Sequence, residues 1–217
     1  RKRIKMQATE EAQRSSTQIL FRNNVFWIMF SLVLLVPRYN ANLLQTSFLY
    51  CSSNPARTDF ERKLTSIGNE IHAEHLPIFD VLDQVIQSVI LGRNIVLEAP
   101  PGAGKTSIVP IAIEKVVQQR CSGNRKKVIV VEPRRVAARA AAQRMSDMLQ
   151  DRVGRKVGYN VRFDKRISSE TTIEVVTEGV LLRKIIKNPD LPDVGCIVFD
   201  EFHERAAEND LCLALCL

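Results

Sequence analysis

The chain lacks a cysteine framework, an apolar run of membrane-spanning length, internal repeats, low-complexity linkers and a dominant charge of one sign. Its five cysteines, Cys51, Cys121, Cys196, Cys212 and Cys216, match neither a disulfide scaffold nor a zinc-site spacing, which points to reduced thiols. Cys212 and Cys216 share a helix face at four-residue spacing, and His72 and His75 form a close pair, but nothing beside either pair completes a metal site. Core packing is the simpler account of the two cysteines. The run Val25 to Val36 has only twelve residues, too few at about 1.5 Å each to cross a bilayer, so no stable membrane span is expected. Its length suits a targeting segment, although no clean small-x-small cleavage site follows; the alternative is an upstream reading-frame artefact or a fragment, because the chain begins at Arg1 and its first methionine is Met6. Net charge is +7 with a pI near 9.3, yet residues 1–76 hold ten Lys or Arg against six Asp or Glu and residues 77–217 hold 21 against 18. Bulk charge therefore does not make the case for a nucleic-acid partner, and local motifs must.

Two such motifs stand out. Ala99-Pro-Pro-Gly-Ala-Gly-Lys-Thr106 lies between a short apolar strand, Asn94 to Glu98, and a segment from Thr106 to Val117 with the apolar spacing of a helix. A strand-to-helix turn of this composition holds phosphate. Pro100 and Pro101 carry no amide hydrogen, so the donors begin at Gly102 and continue through Ala103, Gly104, Lys105 and Thr106, with Ser107 following at the helix start. Lys105 is placed to reach the beta and gamma phosphates, and the Thr106 hydroxyl to ligate magnesium. The bland alternative is a chance Gly-rich turn. The second motif, Asp200-Glu-Phe-His-Glu-Arg205, follows the apolar run Gly195 to Phe199, at the carboxyl end of a strand where open parallel sheets place ligands. There Asp200 would hold magnesium and Glu201 would orient and deprotonate an attacking water. Taken alone, Asp-Glu after a strand is as well read as a helix cap; the phosphate loop some 95 residues earlier reverses that weighting.

With these residues in place the chain resembles the first motor domain of superfamily 2 DEAH-type helicases, most closely the HrpB type, because Asp200-Glu-Phe-His203 carries Phe where most DEAH proteins carry Ala. Glu132-Pro-Arg-Arg-Val-Ala-Ala-Arg139 resembles motif Ia, Val157 to Phe163 the strand after it, and Val176-Thr-Glu-Gly-Val-Leu-Leu-Arg183 motif Ib. The likeness runs from about Leu76 to Leu217 with the motifs in family order, and Ala99 agrees with HrpB-type loops. It implies ATP and Mg²⁺ as cofactors, RNA as partner, bound as a single strand, with DNA left open, and a second RecA-like domain elsewhere in the full-length chain. It implies that Arg134 and Arg135 lie beside the nucleic-acid backbone, that Thr177, Glu178 and Gly179 contact it a few nucleotides away, that Arg144 stacks on the adenine, and that His203 couples nucleotide state to the motor. Each has a plainer alternative. Arg134 to Arg144 also fit a solvated basic helix face, Arg162 a strand residue facing water, and Thr177 a cap of the helix running to Lys187.

The expected architecture is α/β: a RecA-like P-loop domain at 76–217, with a mostly parallel sheet and helices on both faces. A helical or disordered extension at 1–75 precedes it. The element order read from the pattern is helix 77–91, strand, phosphate loop, helix, strand near Lys127 to Val131, basic helix, strands near 157–163 and 171–176, helix, acidic strand and final helix. The domain is expected to stop just after Asp-Glu-Phe-His, before a Ser-Ala-Thr motif. The leading expectation is an ATP-dependent RNA helicase's ATP-binding half, with a non-enzymatic nucleotide- or RNA-binding module and a DNA-directed translocase as alternatives. The cytoplasm or a plastid-like interior is the expected location.

Overall fold

Valine and isoleucine set the centre of the sheet. Val128 to Val131 and Cys196 to Phe199 are buried on both faces, as strands covered by helices on each side must be. The computed structural model describes residues 5–8, 30–35, 76–120 and 125–217. In chain order they form β1 (Lys5–Ala8), β2 (Phe30–Leu35), α1 (Phe79–Ile90), β3 (Ile95–Ala99), α2 (Lys105–Arg120), β4 (Lys127–Val131), α3 (Arg135–Met148), β5 (Val157–Val161), β6 (Asp164–Arg166) and β7 (Ile173–Val176). Then follow α4 (Glu178–Lys187), β8 (Val194–Phe199), a 3-10 turn (Phe202–Glu204) and α5 (Ala207–Cys216).

The strands form one sheet in the order β1-β3-β2-β8-β4-β7-β5-β6. Strands β8, β4, β7 and β5 run parallel, while β2 is antiparallel to both β3 and β8. Because successive side chains in a strand point to opposite faces, each central strand feeds two cores. Val128, Val130, Cys196 and Val198 pack with α1, α2 and α3. Ile129, Val131, Ile197 and Phe199 pack with α4 and α5. Helix α2 is buried on nearly every side from Ser107 to Ile113, so it behaves as a core helix rather than an amphipathic one. Helices therefore cover both faces, as expected from the alternation of elements.

Two boundaries differ from the sequence reading. The strand expected near 157–163 ends at Val161, because Arg162 and Phe163 turn the chain back into β6; Arg162 is thus a turn residue and not a strand residue. Of the extension at 1–75, expected to be helical or disordered, the described parts are strands β1 and β2. β2 comes from the apolar run at 25–36, and its backbone is paired on both sides within the sheet. The rest of that extension, with Cys51, His72 and His75, lies outside the described residues, as does Cys121. Among the described residues no helix is long and apolar enough to cross a membrane, and no cluster of metal-binding side chains was found.

Candidate nucleotide site and nucleic-acid groove

The loop between β3 and α2 holds its curve through two positive-φ glycines, Gly102 (φ 76°) and Gly104 (φ 94°). At Gly104 a Cβ would also sit 3.0 Å from Leu76 and 3.2 Å from Ile78 and Ile108, so both conformation and space call for glycine. The Ala103 amide, expected among the phosphate donors, donates to the Pro100 carbonyl at 3.2 Å, and the Ala103 carbonyl accepts from Ile78. These bonds brace the loop. The first amides of α2, from Lys105 onward, form the helix amino terminus and give it its anion-binding character. Ser107 is buried, its hydroxyl directed at the Gly104 carbonyl (3.4 Å).

The acidic half arrives on β8. The Asp200 amide donates to the Val131 carbonyl at 2.9 Å, which holds the end of β8 against β4. Asp200 is buried, and its Oδ1 accepts the Glu201 amide at 2.8 Å. The Thr106 hydroxyl donates to Asp200 Oδ2, joining residues 94 apart in sequence. A hydroxyl and a carboxylate oxygen brought together at the strand end are hard oxygen donors of the kind magnesium takes, so these residues fit that ion. Lys105, buried apart from a sliver, reaches to 3.6 Å from Glu201 Oε1. His203 Nδ1 lies 3.4 Å from Glu201 Oε2.

Glu201 itself sits in the left-handed region (φ 49°), which costs a non-glycine residue about 1–2 kcal/mol. Burial raises its carboxyl pKa; Lys105 opposes that rise and Asp200 adds to it. A carboxylate made more basic while aimed at Lys105 is suited to take a proton from water. Phe202, the residue that departs from the commoner Ala, packs edge-on against Phe199 with ring centroids 6.1 Å apart.

One residue of this site escaped the sequence reading. Glu132 ends β4 as Asp200 ends β8, and the register Val131 to Phe199 brings the two level. Burial, then the charge and hydrogen bond of Asp200, raise the Glu132 carboxyl well above the ordinary carboxylate range. A strand at Val128 to Val131 could be read from the sequence, but its place beside β8 could not, so nothing local marked Glu132 as a neighbour of Asp200.

Arg135, Thr177, Glu178 and Gly179 line one groove of about 450 Å³, together with Arg162 and Arg183. Thr177 stands at the start of α4, where its side chain makes no capping hydrogen bond, and it lines the groove. Burial, then Glu208 and Glu204, raise the Glu178 pKa. Arg134 is directed elsewhere: its Nη2 pairs with Glu204 Oε1 at 2.9 Å, tying the start of α3 to the acidic motif. Arg144 lies on the exposed side of α3. The structure thus gathers Lys105, Thr106, Asp200, Glu201 and His203 in one place and Arg135 with Thr177 to Gly179 in another.

A phosphate loop and an acidic strand end that meet across one such sheet define a RecA-like nucleotide-binding domain of the P-loop class. Residues 80–211 match the DEAD/DEAH box helicase family, and the chain belongs to it. It is 41% identical over 142 residues to the ATP-dependent RNA helicase HrpB of Escherichia coli (strain K12), covering 65% of this chain and 17% of that protein. It is 32% identical over 142 residues to the DExH-box ATP-dependent RNA helicase DExH1 of Arabidopsis thaliana, covering 65% of this chain and 14% of the relative. Among solved structures, the E. coli DEAH/RHA helicase HrpB superposes with a TM-score of 0.55 at 38% identity, over 64% of this chain and 17% of that one. A second structure, of the E. coli DExH-box NTPase HrpB, gives 0.56 at 36% identity, over 67% and 17%. The chain spans about a sixth of the length of these relatives.

Proposed function

We propose that the chain is the ATP-binding part of an ATP-dependent RNA helicase, which couples hydrolysis to movement along, or unwinding of, a strand. The contact between Thr106 and Asp200 carries this reading, because it closes the two halves of the site onto one point. Lys105 binds the beta and gamma phosphates, and Thr106 and Asp200 would hold magnesium, whose charge would offset that of the phosphates. Glu201 takes the proton of the attacking water, and His203, against Glu201, relays the state of the site to the rest of the motor. Arg135, Thr177, Glu178 and Gly179 hold the strand by its backbone, a kind of contact that positions without reading bases. Arg144 is assigned to the adenine and Arg134 to the start of the nucleic-acid path. RNA as substrate is supported by the two relatives, both ATP-dependent RNA helicases.

Full turnover needs a second RecA-like domain to supply arginines, whose absence in phosphoryl-transfer systems removes about 10³ to 10⁵ in rate. The 217 residues are therefore expected to bind Mg-ATP and hydrolyse it poorly. Lys105→Ala should abolish nucleotide binding by equilibrium titration, and Glu201→Gln should retain it. Equal binding by wild type and Lys105→Ala would overturn the phosphate-loop assignment. RNA-stimulated turnover of many per second by these residues alone would overturn the need for a second domain.

A further inference from the structure

Around the start of α4 and the first turn of α5 the carboxylates divide into two kinds. Glu204 pairs with Arg134 and Asp210 with Arg205, each at 2.9 Å. Glu178 and Glu208 have no ion-pair partner among the described residues, although both line the groove that Arg135, Arg162 and Arg183 also line. Glu178 is only 7% exposed, and its Oε1 accepts no hydrogen bond. Opposite charges that share a groove of about 450 Å³ without meeting leave room between them for a ligand.

Glu208 is exposed and stands over the start of α4: its Oε2 lies 3.6 Å from the point that a Cβ at Gly179 would take. The helix amino terminus accounts for an acid in the first turn of α5. It does not account for that acid reaching across to α4, where the strand backbone is assigned and a carboxylate opposes each phosphate. Cation binding does not account for it either, since no cluster of metal-binding side chains occurs among the described residues. An ionised carboxylate accepts hydrogen bonds and donates none. The ligand must therefore bring a donor to the acidic wall and an anion to the arginines. A strand whose phosphates alternate with hydroxyl-bearing sugars supplies both, and a deoxyribose strand supplies only the anion.

We propose that Glu208 distinguishes RNA from DNA in this groove: its carboxylate accepts the 2′-hydroxyl of a ribose whose neighbouring phosphates lie against the arginines, and it repels a strand that lacks that hydroxyl. This rests on the reading of the groove as a nucleic-acid path. Repulsion acts on both kinds of strand, but only ribose offsets it with a charge-assisted hydrogen bond. Specificity then comes as a difference, part attraction to one partner and part penalty on the other. Glu178, with an unpartnered Oε1 in the same wall, adds a second acceptor and no donor.

The test is fluorescence anisotropy of the 217-residue chain with labelled single-stranded 12-mers of uridine, deoxyuridine and 2′-fluoro-deoxyuridine, at low salt and with a non-hydrolysable ATP analogue. The fluoro strand keeps a ribose-like sugar shape without the donor. Wild type should bind the uridine strand most tightly and the other two alike. Glu208→Ala should melt close to wild type, because the side chain is exposed and unpaired. It should bind deoxyuridine more tightly than wild type does, and its preference for uridine over deoxyuridine should fall by about tenfold. Arg135→Ala should weaken all three strands and leave that preference in place. If Glu208→Ala tightens uridine and deoxyuridine by the same factor, the carboxylate acts by charge alone and the proposal is overturned. A fluoro strand bound by wild type as tightly as uridine overturns it too, since sugar shape and not the donor is then being read. If wild type binds Mg-ATP but none of the strands, the nucleic-acid reading fails and the role of Glu208 with it.

Discussion

Thr106, Asp200 and Glu201 show how one backbone hands two adjacent acids to different partners. The Thr106 hydroxyl meets Asp200 Oδ2 directly, while Glu201 is carried one residue further along the chain in a left-handed conformation that turns its carboxylate toward Lys105. The proposed function gives the adjacent acids different tasks, so removing the oxygens proposed for magnesium should separate from removing the proposed base. Thr106→Val and Asp200→Asn should each raise the Mg²⁺ concentration for half-maximal ATP binding by about tenfold or more, the equivalent of one charge-assisted contact. Glu201→Gln should leave that concentration near the wild-type value. A magnesium titration of ATP binding in the three variants decides it, and a uniform shift in all three would refute the division.

Helices and strands in this domain meet at points with no spare room. Helix α2 lies so close to β8 that a Cβ at Gly195 would come within 2.4 Å of Val117. Gly195→Ala should cost about 1–3 kcal/mol through overpacking, read as a lower denaturation midpoint in urea with an unchanged slope. On the other side of the sheet, Glu174 of β7 is fully buried and joins Lys184 of α4 at 2.7 Å and Lys127 of β4 at 3.5 Å, with Asn160 donating from β5. Burial pushes its pKa up, but the hydrogen bond and charge of Lys184, then Asn160 and Lys127, outweigh it and leave the pKa below the ordinary 4.5. A carboxyl lowered on folding contributes stability that is present above its unfolded pKa and lost as pH falls through the folded one. Wild type should thus lose its advantage over Glu174→Gln as pH falls below about 4.5. Thermal melts at pH 7 and pH 3.5 check this; a constant difference would show that the pair acts only through packing.

Across the whole molecule the ATP site depends on the sheet's order. β3 carries the phosphate loop and β8 the acids, and β2 lies between them, paired to both. Removal of residues 1–36 should strip β3 of its partners on both edges, β1 and β2, and β8 of its partner on one, which favours self-association, and should weaken Mg-ATP binding by disturbing the spacing between Thr106 and Asp200. Size-exclusion chromatography and ATP titration of the shortened chain measure both. A monomer with wild-type affinity would show that β3 and β8 hold their places without β2.

Legibility divided along the line between local and non-local chemistry. The phosphate loop, the acidic strand end, the alternation of strands and helices and the two-sided burial of the sheet could be read from the chain, because they rest on glycine and proline, helix and strand periodicity and runs of valine and isoleucine, all set within a few residues. Glu132 beside Asp200, the ion pair that draws Arg134 to Glu204, the shared groove of Arg162 and Arg183, and the reach of Glu208 to the start of α4 were decided only by the fold. Strand register and turn geometry bring those residues together from distant positions, and no local pattern encodes which strand lies beside which.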